Sequence, residues 1–76
     1  MLKGSREAVL RKVQPVSVHG QLSLDVYYSE LDEPDGQMRV ARLGPEAVPR
    51  NLQIGDRIRL EFLVGVVTSV TKVTES

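Results

Sequence analysis

The chain has 76 residues, ten basic and ten acidic, is 41% hydrophobic and contains no cysteine. That length makes one domain over residues 1–76 that buries only about 60% of its unfolded surface, so packed Val, Leu and Ile must stabilise it without disulfides or thiolate metal sites. The balanced charge weighs against strong nonspecific attraction to phosphate backbones and leaves self-association unopposed.

With two tyrosines, one phenylalanine and no tryptophan, few flat rings can stack on a ligand. The first ten residues, MLKGSREAVL, lack the apolar stretch of a secretory signal. The longest nearly uninterrupted apolar run, residues 62–67, is far too short to cross a bilayer. A soluble, cytoplasmic protein with no membrane partner is expected, complete from its Met1.

Residues 1–5 read as a loose leader. Residues 7–18 then read as a long first strand, because Val9, Val13, Val16 and Val18 are β-branched. Pro15 has no N–H for a ladder, so an edge or a bulge is expected near Gln14–Pro15. His19-Gly20 reads as a tight hairpin turn. The second strand alternates cleanly, with Leu22, Leu24, Val26 and Tyr28 against Ser23, Asp25 and Tyr27.

Residues 29–36, SELDEPDG, form a loop around Pro34-Asp35-Gly36. The third strand covers residues 36–43, with Met38 and Val40 on one face and Gln37, Arg39 and Ala41 on the other. Leu43 breaks that parity, which predicts a bulge near Arg42. Pro45 opens one short helical turn that Pro49 ends. After the bend Ile54-Gly55-Asp56, a fourth strand alternates Ile58, Leu60 and Phe62 with Arg57, Arg59 and Glu61. Gly65 marks the last turn and residues 66–73 the fifth strand, where the density of Val and Thr outweighs a helical spacing of valines.

Five strands with one helical turn between the third and fourth define an all-β chain. Three features resemble the OB-fold, the five-stranded Greek-key barrel: the long interrupted first strand, the GPEAVP break and the phrase Ile54-Gly55-Asp56-Arg57-Ile58. The resemblance implies a closed or partly open barrel, its base either poorly plugged or plugged by Leu52 and Val48 where the family has a longer helix. A small SH3-like barrel fits the same pattern.

The resemblance also implies a face for single-stranded DNA or RNA across strands two and three. By position it carries Tyr27 as a stacking ring and Arg39 as a phosphate contact. Arg57 and Arg59 share a face of strand four, and Arg11 joins them in a basic stripe if strands one and four are neighbours. His19 would stack a base at the hairpin rim. The single aromatic and the balanced charge favour the plainer account of the same residues, ordinary solvated sheet faces and turns.

The carboxylates Glu30, Asp32, Glu33 and Asp35 crowd one loop, but their spacing matches no EF-hand, so neither a metal nor a cofactor is expected. No nucleophile–base pair, phosphate loop or cleft-forming acid pair appears, so a non-enzymatic binding module is expected. The rival reading is a protein-interaction or assembly module, or a homodimer, that pairs through strand edges with Leu31, Leu63 or Val16 as contacts.

Overall fold

The computed structural model describes residues 3–33 and 36–73. It is all-β apart from one turn of 3-10 helix, with strands β1 (Lys3–Val18), β2 (Gln21–Glu30), β3 (Met38–Leu43), β4 (Arg57–Leu63) and β5 (Val66–Lys72). The helical turn, Pro45–Ala47, lies between β3 and β4. All five strands form one antiparallel sheet in the order β3-β2-β1-β4-β5.

β1 starts earlier than the valine pattern suggests, and Lys3, Gly4 and Ser5 of the expected leader pair with β4. Its first part, Lys3 to Val9, runs beside β4, and the ladder with β2 spans Ala8 to Val18. The irregularity sits at Arg11 and not at Gln14–Pro15, because the β2 register shifts between Leu10 and Lys12. Pro15 lies where β1 has only the β2 ladder, so its missing N–H costs nothing on the other side.

β3 corrects the sequence pattern more sharply. Its ladder with β2 runs without a break from Ser29↔Met38 to Leu24↔Leu43, so no bulge occurs at Arg42. Leu43 therefore sets the parity. Leu43, Ala41 and Arg39 face the core side, while Met38, Val40 and Arg42 face out. Met38 and Val40 are exposed although both are apolar, because the packing of Leu43 fixes the facing of the whole strand.

The core comprises Ala8, Leu10, Val26, Tyr28, Leu43, Val48, Ile58, Leu60 and Val70. Val48, just after the helical turn, is buried, and Leu52 packs against the cluster, so this short segment contributes to the core. Sheet coiling brings β3 and β5 close together. No hydrogen-bonded ladder joins them among the described residues, so the sheet stays open along that seam. No helix among the described residues is long and apolar enough to cross a membrane.

The two tight hairpins, β1–β2 and β4–β5, each close through two residues with positive φ, His19 and Gly20 at 51° and 76°, and Val64 and Gly65 at 52° and 79°. Such pairs match the twist of the flanking strands. Val64 is the anomaly, because a β-branched residue is a genuine outlier there. Val64→Asn should stabilise the chain by about 1 kcal/mol, raising the thermal midpoint by roughly 4–8 °C for a domain of this size. An unchanged midpoint in a calorimetric scan would show that the turn carries no such strain.

Candidate functional site

The register assigns each expected site residue to a face, since residues opposite one another in an antiparallel ladder point the same way. On the outer face Lys12, Tyr27 and Val40 form one row across β1, β2 and β3. Gln14, Asp25 and Arg42 form the next row. On the other side of the Tyr27 row lie Val9, Ser29 and Met38, and Arg57 of β4 pairs beside Val9.

Tyr27 sits at the middle of this surface, half-buried, with the Lys12 ammonium 5.7 Å from its ring centroid. That distance suits a cation–π contact. Arg11 is the unpaired residue of the β1 bulge. Its Nε donates to Ser29 Oγ at 3.1 Å, and that hydroxyl donates to the Gly36 carbonyl at 3.2 Å. The relay fastens the chain after β2 against β1 and turns the Arg11 guanidinium onto the outer face. Neither Arg11 nor Lys12 lies within ion-pair distance of a carboxylate among the described residues.

The other cations of this face are held. Arg42 grips Asp25 with two hydrogen bonds, Nε to Oδ1 at 2.8 Å and Nη2 to Oδ2 at 3.1 Å. That grip holds the Asp25 carboxyl below its ordinary value and raises the Arg42 guanidinium above its own. Arg57 and Arg59 do lie beside β1, as the stripe requires. They converge on one acid, with Arg59 Nη2 at 3.4 Å and Arg57 Nε at 3.9 Å from the Glu7 carboxylate.

Arg39 departs from its expected place. It pairs opposite Tyr28, on the core side, and therefore does not share a face with Tyr27. Its Nε lies 2.6 Å from Glu33 Oε1 and 3.1 Å from Glu30 Oε2. Arg6 approaches the other Glu30 oxygen at 2.9 Å and stacks over the Phe62 ring at 5.6 Å. The hydrogen bond to Glu33 chiefly raises Arg39, and that to Glu30 chiefly raises Arg6. The acidic loop is thereby dispersed, since Glu30 and Glu33 turn to arginines; Pro34 and Asp35 lie outside the described residues. His19 is exposed at the β1–β2 turn, away from the Tyr27 row.

Lys12, Arg42, Met38 and Val40 join the Tyr27 surface without having been singled out in the sequence. Counting back in twos from Leu43 finds Val40's true face, and the step from Leu10 to Val13 finds the bulge that turns Lys12 outward. No family model matches this chain, and no match appears among curated proteins or solved structures.

Tyr28 is buried directly behind this face. Burial, and then the Glu30 charge, hold its hydroxyl protonated to higher pH than usual. The unfolded chain thus loses that proton first. The resulting stabilisation is whole below about pH 10, the ordinary tyrosine value, and is lost as pH rises through the higher folded value. Urea midpoints should therefore fall more steeply above about pH 10 in the native chain than in Tyr28→Phe; parallel slopes would refute the linkage.

Proposed function

We propose that this chain is an OB-like module that binds single-stranded DNA or RNA across the outer face of β1, β2 and β3. The strand order β3-β2-β1-β4-β5 supports the OB plan over the SH3-like alternative, because it places β1 between β2 and β4. The single helical turn between β3 and β4 and the close approach of β3 to β5 fit the same plan.

The observation that carries the ligand class is Tyr27 flanked by Arg11 and Lys12, two cations free of carboxylates among the described residues. An aromatic platform beside unneutralised cations is what a stacked base and its phosphates require. Tyr27 stacks a base, while Lys12 and Arg11 meet phosphates. Val40 and Met38 add apolar surface beneath the strand. Arg57 and Arg59 extend the cationic track past Val9, weakened by Glu7. Arg42 contributes only if a phosphate competes with Asp25. Arg39 has no part in the face, and His19 stands at its far rim. The activity is binding without turnover, in the cytoplasm.

Fluorescence anisotropy with labelled dT and mixed RNA oligomers tests this. Affinity should fall with added salt. Tyr27→Ala should weaken binding by about 1–3 kcal/mol, and Lys12→Ala should flatten the salt dependence. No binding by about 100 µM protein in low salt, the weak end of nonspecific affinity, would remove the proposal.

A further inference from the structure

Tyr28 is only 5% exposed. Its hydroxyl has no hydrogen-bond partner among the described residues, whereas a buried phenol ordinarily has one. No fully enclosed side-chain oxygen among the described residues is left unpaired, so this one reaches the open space beside it. That space is a cleft of about 490 Å³ lined in part by Tyr28, Arg6, Arg39 and Phe62. Its volume is that of a small-ligand pocket. Leu43 of β3 and Val70 of β5 share the core, while Ala41 and Val67 wall the cleft nearer the β4–β5 turn.

The polar side of the cleft is rich in donors. Glu30 engages Arg6 through Nη1, and Glu30 and Glu33 engage Arg39 through Nε. A guanidinium carries N–H groups on all three nitrogens. Nε and Nη2 of Arg6 and both Nη atoms of Arg39 therefore keep donors with no acceptor among the described residues. Pairing with the glutamates neutralises the charge but does not use up these N–H groups. The Tyr28 hydroxyl can donate and accept. A flat ligand held between the apolar walls fits best when its edge shows an acceptor at each end and one N–H between them.

The cleft adjoins the Tyr27 face. Val40 stands opposite Tyr27 in the β2–β3 ladder and also lines the cleft, one strand spacing, about 5 Å, from the strand that carries the ring. We propose that the cleft takes the base next to the one on Tyr27 and selects uracil or thymine, an inference that rests on the nucleic-acid reading above. Either base presents carbonyl, imino N–H and carbonyl along one edge. The arginine N–H groups match the carbonyls, and the Tyr28 oxygen matches the imino group. Cytosine, adenine and guanine each place an exocyclic amine where the arginines also donate. A donor left unpaired in a site screened from water weakens binding.

The test is fluorescence anisotropy in low salt with labelled dT, dU, dC and dA oligomers of about ten nucleotides. dT and dU should bind alike, and about tenfold more tightly than dC. The comparison with dC decides, because these pyrimidines are of one size and differ at the edge. Tyr28→Phe should bring dT and dU down toward dC, and Ala41→Leu, which narrows the cleft, should do the same. Tyr27→Ala should weaken all four oligomers and keep the ratio of dT to dC. Circular dichroism identifies any variant that fails to fold, and the other cleft variant then decides. Equal binding of dT and dC by the native chain overturns the inference and leaves the Tyr27 reading standing. So does a dT preference that survives both cleft variants, or one that dU lacks, which would mean recognition of the methyl group. Absence of binding by every oligomer removes both readings together.

Discussion

Leu10 is the residue on which the two halves of the sheet are hinged. Its N–H donates to the Asp56 carbonyl at 2.9 Å and its carbonyl accepts from Gly55 N–H at 2.8 Å. On its other side it pairs with Tyr28 of β2, and its side chain is almost wholly buried. One residue later the bulge at Arg11 ends this double attachment, and β1 continues with β2 alone. A bulged strand bends and twists more strongly than a regular one. The sheet can therefore coil over a core that includes Ile58 and Leu60 from β4 and Val26 and Tyr28 from β2.

The same bulge creates the outer face. Without it, strict alternation after Leu10 would turn Lys12 inward and Val13 outward. The extra residue resets the parity, so Val13 packs against the core and Lys12 lies beside Tyr27. Arg11 itself, unpaired in the ladder, is free to project onto the outer surface. One local irregularity thus both lets the sheet coil and places two cations next to the aromatic ring.

Much of this was legible in the chain. The five strands, the turn at His19-Gly20 and the Pro-bounded helical turn all follow from alternation, turn chemistry and proline. What alternation hides are its interruptions. Ala8, Leu10 and Val13 share the inner face although the last step is three residues. Val67 and Val70 do the same in β5, where Thr68 is the extra residue: the ladder passes from Glu61↔Ser69 to Phe62↔Val67, and Thr68 Oγ1 donates to the Glu61 carbonyl at 3.2 Å. The valine spacing that mimics a helix in residues 66–73 is the mark of this bulge. Arg39 was misplaced for a different reason. Met38 and Val40 have the greater intrinsic claim to a buried face, and only the tertiary contacts of Leu43 overrule it.

The cleft at the seam between β3 and β5 mixes apolar residues with a buried acid, Glu30. A buried carboxylate there must be paired, because desolvation would otherwise make it untenable. Glu30 is almost fully buried and accepts Arg6 from β1 and Arg39 from β3, so ion pairs tie three strands together beside the open cleft. These pairs reinforce the β1–β2 and β2–β3 ladders and do not reach β5. The consequence is structural as well as energetic. A ladder between β3 and β5 would have used up the edge amides and carbonyls and sealed the cylinder. Without that ladder, Leu43 of β3 and Val70 of β5 still share one core cluster, and Glu30 stays covered by its two arginines.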